Sequence, residues 1–451
     1  LPVGAVRQSA YQVQVWLSEG SNEIVLWDSG RVSTEAIGCV VYGGEPLSSS
    51  PRYNWRLRVW CEDEQPTPWT SSSFETAKLD ATEWRAAWIT GTTLPRPDDD
   101  SALYFRKVVR LSGQVKSARA YVSALGWYRV FINGRDLTGS ALVPRFTPLQ
   151  TVVEYQTYDV TAVLRQGENV IAIAVGDGRY RGRLGFLGTR CTYGDRLAAM
   201  AQLEIRMEDG QTRLVTTDGQ WHVGPGRIVG SDPQHGERLD LRIPDDDWLH
   251  DHQPPQRFRT AQLLPDQGRK LIAEEVERVQ EVRRLSPVRV WQAPSGRWLV
   301  DLGQNIAGVL RIRLNGKIGQ RVRLTHSELL TPDGDLDVSW IWHGKKWYQR
   351  DEVILSDGSS WVQPWFTIHG FRYVEVSGYP GTPPADAIAG SRTSAGPSRA
   401  MGSTSAGELP SFVHTIEGGL SSGASRRAAA RARAPAGVPS STTTTPPPRR
   451  D

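Results

Sequence analysis

EYQTYDVTAVLRQGENVIAIAVGDGRYRGRLGFLGTRCTYGDR, residues 154–196, is the stretch on which the reading of the chain turns. Within it, residues 170–175 (VIAIAV) form an apolar run of strand length, with Gly167 before it and Gly176 after it. A run this short, unbroken by polar residues and bounded by glycine, reads as a strand buried on both faces. The next eight residues, GDGRYRGR from Gly176 to Arg183, hold three glycines and five polar or aromatic side chains. Glycine lets a chain turn sharply or approach a ligand closely, and loops on a rigid β scaffold are where binding groups tend to sit. A core strand thus feeds a polar, aromatic loop at the rim of a sheet.

Around that strand the pattern is β throughout. Residues 11–16 (YQVQVW) and 55–60 (WRLRVW) alternate apolar and polar, which means one face buried and one wet. With turns at 26–30 and 48–51 they predict a small fibronectin III-like or Ig-like β-sandwich over residues 1–80. Its tryptophans are candidates for stacking on sugar rings, but core packing is the stronger reading. Residues 81–250 read as a larger domain with strands near 102–109, 118–124 and 127–132, the last ending in the turn pair Asn133 and Gly134. A jelly-roll sandwich is predicted there. Residues 251–281 are polar and loosely patterned, as a linker would be, and residues 282–384 predict a further β-sandwich. From 385 to 451 Ser, Ala, Arg, Pro and Thr dominate with almost no apolar periodicity, so no core offsets the entropy of ordering and a disordered tail is expected. The fold class is all-β: tandem β-sandwich domains followed by that tail.

Composition bounds the function. The chain has 451 residues, 39% of them hydrophobic, and 17 Trp, all between Trp16 and Trp365. That is enough for several cores, and it separates a folded body from the tail. The formal charge is +4, yet residues 386–451 alone hold eight Arg and no Lys against four acids, so the body is neutral. Nucleic acid is therefore not an expected partner. Cys39, Cys61 and Cys191 are scattered and odd in number, which suggests neither a zinc site nor a disulfide framework. A reducing, cytoplasmic setting is expected rather than secretion. No apolar run approaches transmembrane length, so no membrane partner is expected either. Leu1 opens in mid-pattern without Met, and an incomplete N-terminus is the expectation.

Recognition rests on longer motifs. GDGRYRGRLGF followed by YGDRLA, with YQTYDVT upstream, closely resembles the N-terminal β domain of bacterial α-L-rhamnosidases. The family usually has Trp where this chain has Arg179. DLGQN at 301–305 with Ala307 and Gly308, SELL at 327–330 with PDG at 332–334, and WFTIHGFRYVEV at 365–376 resemble the β domain that precedes the rhamnosidase barrel. Together they cover about residues 10–385. The resemblance implies release of terminal α-L-rhamnose by inverting hydrolysis, with rhamnose-containing glycosides or polysaccharides as partners.

Pyranose recognition needs flat aromatic faces and planar polar groups for adjacent hydroxyls. Asp177, Tyr180, Arg181 and Asp195 are of those types, and Trp127 stands on an earlier strand, so these five are the candidate carbohydrate contacts. Calcium, which takes oxygen ligands, would bridge sugar hydroxyls if Asp177, Asp195 or Asn133 converged. Otherwise no cofactor is expected. The plainer alternative is that Asp177 caps a turn while Arg181 and Asp195 form an internal ion pair. His326 and His369 lie on or beside strands and read as hydrogen-bonded core or interface groups rather than metal ligands.

Catalytic residues are not assigned. In the resembled family two carboxylates act from a helical (α/α)6 barrel, on a motif like DCPQRDERxGWxGD and a later Glu, at a spacing that admits water. No run of amphipathic helices follows residue 385, so a frameshift or truncation near Ala389 is the expectation. QRDE at 349–352 matches only the centre of that motif, in the wrong place, and reads as the start of a strand. Two function classes therefore stand: the accessory β domains of an α-L-rhamnosidase, inactive by themselves, or a carbohydrate-binding β-sandwich assembly with no hydrolytic role. A β-rich adhesion fragment, argued from the first module alone, is a weaker third.

Overall fold

The apolar run becomes the strand Gly167–Gly176, and it is buried on both faces as its pattern predicts. Ile171, Ile173 and Val175 point into one core, while Ala172 and Ala174 point into another. The difference in size matters. Small residues on the second face let a neighbouring layer approach closely, and a Cβ on Gly176 would stand 2.4 Å from the Phe366 ring. This computed structural model describes residues 7–395 apart from 20–21, 39, 50, 62–63, 93–97, 186 and 342–348.

The first domain pairs its strands, among the described residues, in one antiparallel sheet ordered Asn22–Asp28, Ala10–Glu19, Arg52–Trp60, Thr70–Glu75, with Val32–Ser33 on Ala10–Glu19. The alternating stretches predicted near 11–16 and 55–60 are paired directly, Gln14 opposite Arg56 and Trp16 opposite Asn54. Their tryptophans build a ladder with arginines. Arg56 lies between Trp16 and Trp69 at 5.3 and 5.0 Å, and Arg58 between Trp69 and Trp60 at 4.6 and 5.0 Å. Each contact contributes about 0.5–1 kcal/mol at a solvent-facing site, and each occupies a ring face that a sugar would need. Trp16 and Trp60 are buried, as the packing reading has it, while Trp27, Trp55 and Trp69 are half-buried.

The second domain is a sandwich of two sheets. One, of six strands, runs Arg135–Asp136, Trp127–Ile132, Gly167–Gly176, Leu103–Leu111, His222–Pro225, Arg259–Thr260. The other, of seven, is centred on Ala198–Met207 and Val115–Leu125, and its inner alanines meet Phe105, Ile171 and Ile173 across the core. Residues 251–281 are not a free linker. Arg259–Thr260 closes one sheet opposite His222, Gln262–Leu263 pairs with Ile89–Thr90, and Lys270–Ala273 adds a parallel edge beside Val152–Asp159. Edge strands touch the core on one side at most, so their sequence stays polar and resembles a linker.

The third domain is a sheet of ten strands in the described residues, built on the long strand Trp298–Asn315. Two of its strands come from the middle domain. The hairpin Ile228–Asp232 and Gly236–Asp240 leaves the sandwich and pairs in parallel with Arg350–Ile354, Arg238 opposite Glu352. The boundary at 385 is also corrected. Ile388–Ala395 is a strand between Trp298–Asn315 and Val279–Leu285, and Ser391 and Ile388 are buried. A Cβ on Gly308 would stand 2.0 Å from the Ser391 carbonyl oxygen, so glycine there lets the strands close up. The remainder of the tail expected over 385–451, from residue 396 onward, lies outside the described residues. One apolar cluster joins the last two domains, with Tyr104, Trp127 and Trp248 against Leu302, Phe366 and Phe371. A fully buried side chain of this size contributes about 1.5–3 kcal/mol, so the two domains behave as one unit.

Candidate functional site

The loop after Gly167–Gly176 turns at once into the short helix Gly178–Arg181, started by Gly178 at φ +50. A Cβ on Gly178 would stand 2.7 Å from the Trp127 amide nitrogen, so the close turn requires glycine. The turn carries Asp177 inward to complete burial. Its amide donates to Ser231 Oγ at 3.0 Å, and its two carboxylate oxygens accept from two different arginines. Arg181 Nε donates to Oδ1 at 2.6 Å and Arg190 Nη2 to Oδ2 at 2.5 Å. The same guanidiniums then donate to the carbonyls of Ser101 and Asp99, at 2.6 and 2.9 Å. Burial pushes the Asp177 carboxyl up to about 6 against the pull of both arginines, which leaves it ionised at neutral pH.

The five candidate sugar contacts do not share a face. Asp177 and Arg181 are closed into this ion cluster. Tyr180 packs in a small apolar cluster with Trp88, Leu125 and Leu149, and Trp127 lies in the core between the domains. Asp195 is exposed. Of the five, Arg181 alone lines the cavity of about 550 Å³ beside them, which is ringed by Asp98, Asp99, Asp100, Arg196 and Arg259. The internal ion pair expected for Arg181 is formed with Asp177 rather than with Asp195. Among the described residues, Asp177, Asp195 and Asn133 do not converge into an oxygen set for calcium. Asp177 is taken by guanidiniums, while Asn133 Nδ2 donates to Val163 O and Asn169 Oδ1 and its Oδ1 accepts from Val170 N. Arg190 was missed in the sequence reading, since four glycines and a second turn separate it from Asp177.

A second cluster, in plain strands, has the opposite character. His326 is the last residue but one of the strand Arg321–Ser327, Asp351 lies in Arg350–Ile354, and His369 opens His369–Ser377; all three are buried. The imidazole rings stack at 4.3 Å and 25°. His369 Nε2 lies 3.1 and 3.2 Å from the Asp351 oxygens, and Glu237 N donates to Asp351 Oδ1 at 2.8 Å. Burial pushes His326 down to about 3. For Asp351 burial works upward, and the imidazoles with the Glu237 amide more than offset it. Glu237 itself is buried, accepting from the amides of Trp365 and Phe366 at 3.0 and 2.9 Å. Burial pushes it up to about 8 against those two amides, and the Asp351 carboxylate adds to the push.

The comparisons follow the domain order. Residues 3–80 match the Rha78A-like N-terminal immunoglobulin domain, 113–283 the alpha-L-rhamnosidase N-terminal domain, and 291–393 the bacterial alpha-L-rhamnosidase concanavalin-like domain. The second and third matches extend past the boundaries at 250 and 385, in agreement with the strands found there. An alpha-L-rhamnosidase of Formosa agariphila is 30% identical over 398 residues, 84% of this chain and 42% of the relative. One of Streptomyces avermitilis is 33% identical over 333 residues, 73% of this chain and 32% of the relative. The chain thus spans less than half the length of these relatives. Among solved structures, Aspergillus terreus α-L-rhamnosidase superposes with TM-score 0.79 at 29% identity, over 87% of this chain and 46% of that one. The Streptomyces avermitilis enzyme complexed with L-rhamnose gives TM-score 0.79 at 25% identity, over 86% and 54%. By its three domains, in this order and with this fold, the chain belongs to the bacterial α-L-rhamnosidase family.

Proposed function

We propose that this chain supplies the accessory β domains of an α-L-rhamnosidase, a glycoside hydrolase that releases terminal α-L-rhamnose by inverting hydrolysis. Its substrates are rhamnose-containing glycosides or polysaccharides. The observation that carries the reading is the shared sheet: a hairpin of the N-terminal domain completes the concanavalin-like sheet, so the two family domains form one platform. Inversion needs two carboxylates facing a cleft, about 6.5–9.5 Å apart, with water between them. The acids of QRDE do not offer this. Asp351 is sealed between two imidazoles, and Glu352 is held by Arg321 and Arg323 at 2.7 and 2.8 Å. In this reading the described residues carry support rather than bond cleavage. Incubated with p-nitrophenyl α-L-rhamnoside, the chain is expected to release no nitrophenolate above a protein-free blank. Turnover that survives repurification sinks the assignment.

The second reading, a carbohydrate-binding assembly with no part in hydrolysis, is favoured by the polar cavity beside Arg181. Titration with L-rhamnose, with and without calcium, tests it by calorimetry. Saturable heat supports it, and no heat under either condition removes it.

A further inference from the structure

We propose that His326, Asp351 and His369 form a closed site for a divalent first-row transition metal ion of the zinc type. The site lies in the seam where the strand Gly236–Asp240 joins the concanavalin-like sheet. Nothing in the sequence reading or in the rhamnosidase assignment requires it, and it stands independently of both.

The argument begins with one nitrogen. His326 Nδ1 lies 2.9 Å from the carbonyl oxygen of Gln349, which can only accept, so Nδ1 carries the ring proton. Nε2 therefore presents a lone pair. It is fully buried, has no hydrogen-bond partner, and faces Asp351 Oδ2 at 3.9 Å. Two acceptors facing each other in a closed interior repel, and 3.9 Å is too long for a hydrogen bond. Two ligands of one ion with bonds of about 2.0–2.2 Å stand at most about 4.4 Å apart, so the gap admits a cation bound to both. His369 Nε2 is 3.1 Å from the same carboxylate, and the ligand atoms of the three side chains all lie within 4.8 Å of one another.

The surroundings have the form of a support for metal ligands. Such a histidine commonly donates its other ring N–H to a carbonyl, as His326 does to Gln349. The Glu237 amide orients Asp351, and Gln349 Oε1 accepts from Gly370 N at 2.8 Å, beside His369. Asp351 can give one oxygen or both. Two imidazoles with one carboxylate suit zinc, iron or nickel, whereas calcium and magnesium prefer all-oxygen sets. Two costs remain: the rings, stacked at 4.3 Å, must splay for both in-plane lone pairs to meet one ion, and His369 Nδ1 has no partner and stays so when Nε2 binds it. All three ligands are at most 2% exposed, so the ion is a structural one taken up as the strands close.

The full chain is unfolded in urea with chelator, then refolded with or without Zn²⁺ and desalted. One zinc per chain by mass spectrometry and a higher Tm are expected, and refolding with Co²⁺ should give the visible absorption bands of a bound nitrogen–oxygen set. His326→Gln and His369→Gln should each lose zinc at least 10-fold in affinity, with Ca²⁺ and Mg²⁺ without effect on any form. No retained zinc and no cobalt spectrum in the wild-type chain overturns the proposal, as does equal zinc retention in both variants. Should the variants fail to fold, the wild-type stoichiometry and cobalt spectrum decide alone. A Tm that moves with pH but not with zinc assigns the gap to a proton and also overturns it.

Discussion

Asp177 and Asp351 are both fully buried carboxylates at the edge of the middle domain, yet their surroundings answer the charge in different ways. Asp177 meets two guanidiniums, each of which can only donate, and both of its oxygens are satisfied. Asp351 meets two imidazoles, and the tautomer of one leaves a lone pair pointing at it. A carboxylate closed by fixed cations holds a loop together and has nothing left for a ligand. A carboxylate closed by an acceptor is incomplete until a cation arrives. The Gly-rich, aromatic loop that looks functional is thus the finished structure, and the plain strands hold the unfinished one.

The largest effect should come from neutralising the finished cluster. Asp177→Asn leaves two guanidiniums in a dry interior, and breaking a buried ion pair in this way costs about 3–5 kcal/mol. Asp351→Asn in metal-free protein keeps an amide oxygen for Glu237 N, so its cost should stay nearer the 1–3 kcal/mol of an imperfectly replaced buried hydrogen bond. Urea unfolding of both variants checks the ordering. Equal losses would break the contrast between a closed and an open cluster.

A gentler comparison uses one substitution at two glycines. Gly236, at φ +109, sits where the hairpin crosses to the third domain, and a Cβ there would stand 2.2 Å from the Arg350 carbonyl oxygen. Gly185, at φ +64 in the loop, has open space around it. Gly236→Ala should lose about 3 kcal/mol, because backbone must move as well as adopt a disfavoured φ. Gly185→Ala should lose about 1 kcal/mol, from the backbone conformation alone. Thermal unfolding with matching far-UV spectra measures both. A larger loss at Gly185 would mean that the loop, and not the seam, is the rigid part.

These contrasts show what the sequence carries and what it hides. The strand at 170–175 was legible because its apolar run needs no distant partner to be understood. Residues 259–273 and 388–395 were misread for a shared reason: they pair through backbone groups at positions whose side chains are mostly polar or small. The exchange of the 228–240 hairpin was hidden because parallel pairing with residues 352–354 leaves no local pattern. Among the site residues, the residue types and the burial of the 170–175 strand were readable, but the burial of Asp177 and Arg181, and Arg190, which completes their cluster, were not. His326 and His369 were read as hydrogen-bonded core groups. That holds for His369 Nε2 and for His326 Nδ1 and fails at His326 Nε2 and at His369 Nδ1, which have no partner.

The smallest effect, when it is measured at pH 5, and the sharpest probe of the seam, is Glu237→Gln. The groups facing this carboxyl are the Trp365 and Phe366 amides, the Asp351 carboxylate and, farther off, Arg129. With its folded value near 8 and an ordinary value of 4.5, the folded protein keeps a proton that the unfolded chain releases. Stability from this group is then complete below about 4.5 and is lost as pH rises through 8. Glutamine resembles the protonated form and still accepts from both amides. Glu237→Gln should therefore change stability little at pH 5 and flatten the decline of the chelator-treated wild type between pH 5 and 8. Urea midpoints at several pH values measure this directly. Parallel curves for the two proteins would mean that Glu237 is already ionised at pH 7, and the positive charge that permits it would have to be sought beside Asp351.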